Sequence, residues 1–269
     1  MSPLRALAAL FVSAAVLGAQ SGPIIVDADA GSDDVMAVSP LLSHPGVRIN
    51  AITVVNGMAH VEAGARNMGR LLDLAGRRDV PVFAGREHPL RGNHEFPAEW
   101  RKISDNFPIL TIFPPRPPEH KPASDYLVER LRHSPEAVRI LALGPLSNIA
   151  EAPQAASIVF RSSIPIRLIA LDATNKVKID SECLIQFAES PHSRLGFVVW
   201  GVLEADSETI QQGIFYARDP LAAEDGSQEG RTAETPGRPN SMVALDANAG
   251  GFPRFFLDAF TTSERVTVP

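Results

Sequence analysis

Four aspartates fall within eight residues in the run Asp27-Ala-Asp29-Ala-Gly31-Ser-Asp33-Asp34. Neighbouring anions repel one another. A fold tolerates them where water solvates them or where a cation sits among them. Carboxylate oxygens are hard donors and suit Ca²⁺ or Mg²⁺ in preference to zinc. The same residue type caps helices and forms turns, so spacing alone leaves a capping role open. A calcium loop of the EF-hand kind is excluded, because the twelfth position counted from Asp27 is Val38 and not Glu.

The elements around the cluster favour a site. Pro23 to Val26 is a short apolar run and reads as a buried strand. Asp33 then opens a helix with an apolar face of Val35, Met36, Val38, Leu41 and Leu42. Pro40 should kink or end that helix. Asp33 and Asp34 sit at its N-terminus, where the helix dipole stabilises each negative charge by about 0.3–1 kcal/mol. Ile49–Val55 and Val80–Ala84 read as strands, with helical spacing over Val61–Ala75 between them. This β-α-β-α-β order is the pattern of a parallel sheet covered by helices, and ligands bind at the carboxyl edge of such sheets. Asn106–Pro122 carries six prolines and reads as a long surface connection with no regular element. Alternation resumes with a helix over Ser124–Arg132, a strand over Val138–Leu143 and a helix over Ala155–Arg161. A strand over Ile166–Asp172 and helices over Ser181–Glu189, Arg194–Leu203 and Phe252–Phe260 follow. Asp225–Pro239 reads as loop.

Taken in order, these segments resemble the inosine-uridine preferring nucleoside hydrolase family. Asp-x-Asp-x-Gly-x-Asp-Asp after an apolar strand is similar to its signature. Ala51–Gly57, Asn67–Gly76 with Asp79–Gly85, Leu141–Asn148, Ile169–Asn175 and Asp219–Ala223 resemble later family segments. The resemblance implies an α/β fold: an open, mainly parallel (mixed) sheet with helices on both faces, Rossmann-like. It implies hydrolysis of the N-glycosidic bond of a small-molecule nucleoside with Ca²⁺ as cofactor. By resemblance, Asp29 ligates calcium and acts as general base, and Asp34 and Asp219 complete the carboxylate ligands. Asp33 binds the ribose hydroxyls, Asn56 contacts substrate, and Asp27 supports the ligands from behind. Trp100, in the segment His94–Trp100, could stack on the base from a mobile loop, or could be an ordinary half-buried aromatic.

The chain also departs from the family. The segment that lends calcium a backbone carbonyl and grips the ribose is absent, as though deleted near residue 152. Met58 stands where relatives often carry an Asn. Arg218, a poor general acid, stands where several have His. Impaired hydrolysis is therefore expected, with a non-catalytic calcium- or ribose-binding protein of the same fold as the alternative. A third reading, a phosphatase of the haloacid dehalogenase type, fits Asp27-Ala-Asp29 but finds Gly31 where that type has Thr or Val.

Composition narrows the partners. A net charge of −6 without a basic block disfavours nucleic acid and acidic membranes. One cysteine, Cys183, excludes an internal disulfide and a cysteine-based zinc site. Arg5 followed by the uncharged apolar stretch Ala6–Gly18 and the small residue Ala19 reads as a secretory signal over residues 1–19. The expectation is a secreted or periplasmic protein, or a cytoplasmic one if this stretch is not cleaved. Residues 20–269 then form one domain. A homo-oligomer is left open.

Overall fold

The computed structural model describes residues 22–89, 95–151, 166–169, 174, 176–190, 193–213, 215, 241–244 and 247–260. The expected leader, the helix over Ala155–Arg161, the loop Asp225–Pro239, His94 and Asp219 lie outside the described residues.

Four strands form the central sheet: β1 (Ile24–Ala28), β2 (Ile49–Val54), β3 (Val82–Ala84) and β4 (Arg139–Ala142), all parallel, in the order β3-β2-β1-β4. The chain steps outward from β1 to β3 and then returns to the other side of β1. The topological switch point, where crevices open in such sheets, therefore lies between β1 and β4.

Both faces of the sheet are covered. One face carries Ile24, Val26, Ala28, Ile52, Val54 and Val82. They pack beneath α1 (Ser32–Ser43), α2 (Val61–Leu74), the one-turn α4 (Pro108–Thr111) and α8 (Arg194–Ala205). On the opposite face Ala51 and Phe83 meet Ala123 and Tyr126 of α5 (Ala123–His133). The Phe83 and Tyr126 rings stack with centroids 4.0 Å apart. Alternation along each strand assigns these residues to opposite faces, so the expected parallel α/β sheet with helices on both sides is what forms.

A second core gathers farther along the chain. Helices α7 (Ser181–Glu189), α8, α9 (Ser207–Gln211) and α10 (Phe252–Phe260) enclose Phe187, Phe252, Phe256 and Phe260. Phe187 lies 5.3 Å from Phe256 and 5.8 Å from Phe260 between ring centroids. Local capping fixes two of these helices. Asp180 accepts from the Cys183 amide and Ser193 from the Gly196 amide.

Three expectations need correction. Helix α1 runs through Pro40 and ends only at Ser43. Burial of Val38, Leu41 and Leu42 against the core outweighs the local penalty of the missing N–H. The proline-rich connection is not wholly irregular, because Pro108 occupies the first position of α4, where its absent N–H costs nothing. The Glu119 amide of that connection donates to Val82 O at 2.8 Å, which covers the edge of β3. The strand β5 (Ile166–Ile169) pairs, among the described residues, with β6 (Ser241–Ala244) in a separate two-stranded parallel sheet. The sequence reading had no strand at 241–244. Trp100, read either as a stacking residue on a mobile loop or as an ordinary half-buried aromatic, lies in the helix α3 (Ala98–Asp105).

Candidate active site

Every strand of the central sheet points its carboxyl end to the same edge. β1 delivers Asp27 within the strand and Asp29 just beyond it. β2 leads into Asn56-Gly57-Met58, and β3 into Gly85-Arg86. β4 leads through Gly144 to Asn148 on α6 (Ser147–Glu151).

Asp29 occupies the switch point and is fully buried. Its Oδ2 accepts from the Met58 amide at 3.0 Å and its Oδ1 from the Gly31 amide at 3.4 Å. Its carbonyl accepts from the Ala59 amide at 3.0 Å. Two glycines make room for it. A Cβ on Gly57 would stand 2.0 Å from Asp29 Oδ2, and one on Gly144 would stand 2.8 Å from Asp29 Cβ. Ala30, next in sequence, has φ of 61°. A non-glycine residue in the left-handed region stores strain, and such strain concentrates at functional sites. The strained turn lets Asp34 Oδ2 accept the Ala30 amide at 2.7 Å, a reach back across the first turn of α1 like that of a capping box.

Burial dominates the electrostatics. Asp27 is pushed from 3.8 to about 6 by desolvation, with hydrogen bonds from Thr53 and Asn148 opposing. Thr53 Oγ1 donates to Asp27 Oδ1 at 2.5 Å and Asn148 Nδ2 donates to the same oxygen at 2.9 Å. The other oxygen, Oδ2, is buried with no hydrogen-bond partner among the described residues. Desolvation also raises Asp29, with hydrogen bonds from the Met58 and Gly31 amides and with Asp34 opposing. Asp34 is raised well above the ordinary range by desolvation and by the charges of Asp29 and Asp33. Buried carboxylates crowded in this way hold protons or a cation.

Asp33, in the first turn of α1, is partly exposed. Beside it Ser32 Oγ makes a short hydrogen bond to Asp206 Oδ2, at the junction of α8 and α9. Desolvation pushes the Asp206 carboxyl to about 6, the Ser32 hydrogen bond opposing and the charge of Asp33 adding. The Asn56 carboxamide is buried, and its Oδ1 accepts from Arg101 Nη2 at 2.5 Å. Trp100 is 40% exposed on α3, its ring 6.5 Å from that of Phe96. The structure thus gathers Asp27, Asp29, Asp33 and Asp34 at one sheet edge. Sequence reasoning missed Ser32, Thr53, Arg101, Asn148 and Asp206. Ser32, Thr53 and Asn148 lay inside the segments Asp27–Asp34, Ala51–Gly57 and Leu141–Asn148, whereas Arg101 and Asp206 carried no signal.

The donor set at this edge is chemically suited to a hard cation. Asp29 and Asp34 offer hard, crowded, buried oxygens whose raised proton affinity a cation would relieve, and the orphaned Asp27 Oδ2 lies behind them. These groups fit Ca²⁺ or Mg²⁺. Among the described residues no three His, Cys, Asp or Glu side chains are placed to hold a metal by themselves. The third carboxylate implied by the resemblance, Asp219, is not among the described residues. Likewise, no helix among the described residues is long and apolar enough to cross a membrane.

Solved nucleoside hydrolases share this fold. A plant nucleoside hydrolase, PpNRh1, superposes with a TM-score of 0.70 over 89% of this chain and 99% of its own, at 22% identity. A purine-preferring ribonucleoside hydrolase from Gardnerella vaginalis gives 0.66 over 88% and 97%, at 20% identity. Residues 24–152 match the sequence model of the inosine-uridine preferring nucleoside hydrolases. Uridine nucleosidase 1 of Arabidopsis thaliana is 28% identical over 213 residues, 64% of this chain and 63% of its own. The pyrimidine-specific ribonucleoside hydrolase RihA of Citrobacter koseri is 30% identical over 205 residues, 60% of this chain and 63% of its own. The chain therefore spans less than two thirds of the length of these relatives.

Proposed function

We propose that the chain hydrolyses the N-glycosidic bond of ribonucleosides at the edge formed by Asp27, Asp29, Asp33 and Asp34, with calcium as cofactor and Asp29 as general base. The observation that carries this reading is the buried Asp29 at the β1/β4 switch point, its carboxylate held by the Met58 and Gly31 amides.

The reaction adds water across the bond between the ribose C1′ and the base nitrogen. The water oxygen bonds to C1′ and keeps one proton as the new hydroxyl, and the other proton passes to Asp29. The bonding pair leaves on the base nitrogen, which takes a proton from solvent while Asp29 later returns its own to water. Burial raises the proton affinity of Asp29, which makes it a stronger acceptor than an exposed carboxylate. The carboxylates at this edge stabilise the positive charge that develops on the sugar as the bond breaks. Asp29, Asp34 and Asp219 would hold the calcium ion, and Asp33 the ribose hydroxyls. Calcium supplies Lewis acidity that makes a water easier to deprotonate.

The reading also sets a rate. Without the family's ribose-gripping segment, two or three charge-assisted hydrogen bonds of about 1.5–3 kcal/mol each are missing. At about 1.4 kcal/mol per factor of ten, turnover falls by roughly 10² to 10⁶. The test incubates the full chain with calcium and with inosine, uridine or p-nitrophenyl riboside, and follows release of base or nitrophenol. Slow release that disappears in Asp29→Ala is expected. Release no faster from the wild type than from Asp29→Ala, on all three substrates, would overturn the reading in favour of a non-catalytic member of the fold.

A further inference from the structure

Arg101 is a buried cation. It is 3% exposed, and burying a guanidinium is costly unless its donors are engaged. Its Nη1 donates to Glu95 Oε2 at 3.1 Å and its Nη2 to Asn56 Oδ1 at 2.5 Å. Its Nε is buried and has no partner among the described residues. Glu95 remains partly in water. The buried end of the arrangement is therefore Asn56, which begins the turn after β2.

That turn does its work on Asp29. Two residues past Asn56, the Met58 amide donates to Asp29 Oδ2, and the following Ala59 amide donates to the Asp29 carbonyl. Gly57 lies flat against the same carboxylate. The backbone holds the two sides of this turn, through Val55 N to Ala28 O of β1 at 2.9 Å and Gly57 N to Ala59 O at 3.4 Å, but β2 ends at Val54 and α2 begins only at Val61. The side-chain tie on the Asn56 end of this turn comes from α3, 45 residues away in sequence.

We propose that Arg101 is a positioning residue, which through Asn56 Oδ1 holds the turn Asn56–Met58 so that the Met58 amide bonds Asp29. Arg101 itself stays off the reacting atoms. The inference rests on the reading of Asp29 as the working carboxylate, but its first test does not need the activity.

Amide hydrogen exchange of the full chain, read by NMR, compares wild type with Arg101→Ala and with Asn56→Leu. Leu retains the volume of Asn and removes the acceptor. In each variant the Met58 amide should exchange at least 10-fold faster, while Val26 and Ile52 in the sheet keep their protection. The double variant should be no faster than either single one, because both break one link. Unchanged Met58 exchange in either folded variant would overturn the proposal. A uniform rise at Met58, Val26 and Ile52 alike would also overturn it, since Arg101 would then only stabilise the fold. Where the wild type hydrolyses nucleosides, Arg101→Ala should lower kcat at least 10-fold with KM changed less than 3-fold. A rise in KM alone would place Arg101 on the substrate and overturn the positioning role. An inactive wild type with the expected Met58 result would remove the hydrolase reading and leave the link to Asp29 standing.

Discussion

The carboxyl of Asp206 stores free energy whose sign and pH window follow from its surroundings. Desolvation lifts it from 3.8 to about 6, the Ser32 hydrogen bond opposing and the charge of Asp33 adding. The folded state therefore holds a proton more tightly than the unfolded chain. Stability from this group is fully present below about pH 4 and is lost as the pH rises to about 6. The gap corresponds to about 3 kcal/mol at about 1.4 kcal/mol per pH unit, and residual contact with water reduces it to about 1–3 kcal/mol. Asp206→Asn preserves an oxygen for the Ser32 hydroxyl and removes the charge. Urea denaturation with a chelator present, at each pH from 4 to 8, should find the variant as stable as wild type at pH 4. It should be about 1–3 kcal/mol more stable at pH 7. A difference that stays flat with pH, or a variant less stable at pH 7, would refute the argument and place the importance of Asp206 in its carboxylate charge.

Three other outcomes follow from the same geometry. Calcium at 100 times its Kd should stabilise the wild type by about 2.7 kcal/mol. At about 2–4 °C per kcal/mol for a domain of this size, that raises Tm in a thermal melt by about 5–11 °C, and Asp29→Ala should erase the rise. Gly57→Ala drives a methyl to 2.0 Å from Asp29 Oδ2. It should cost about 1–3 kcal/mol in denaturant and abolish the calcium shift as well. Cys183 is buried, and burial pushes its thiol to about 11. A thiol reagent at pH 8 should therefore label it only after unfolding, with labelling of the native chain in minutes as the contrary result.

How much of this was legible in the sequence depended on whether the cause was local. The loop from Asp27 to Asp34 was readable because an apolar strand precedes it and a helix start follows it. Helix α7 was placed at its observed limits, Ser181–Glu189, and the Asp180 side chain that caps it lies next to it in sequence, so its cause is local as well. The partner of β5 was not readable. Parallel pairing joins Ile166 to Ser241 across the helices α7 to α9, and the four residues Ser241–Ala244 are too few to carry a strand signal of their own. Pro40 misled for the opposite reason: the local rule was sound, but burial of α1 decided the outcome.

The site shows the same division in sharper form. In a parallel sheet every strand delivers its next few residues to one edge, so polar residues just past a predicted strand are candidates without any alignment. Applied here, that rule selects Asp29, Asn56 and Arg86, and reaches Asn148 at the start of the next helix. It cannot select Arg101 or Asp206. Both come from helices and reach the edge through side chains, Arg101 across 45 residues and Asp206 across 174. Those two contacts tie α3 and the α8–α9 junction to the carboxyl edge. The carboxylates are therefore set in place by chemistry local to each strand end, while their orientation is held by buried charges from outside the sheet. Exchange of Arg101 or Asp206 should accordingly disturb the geometry at Asp29 and at α1 respectively while leaving the β3-β2-β1-β4 sheet intact.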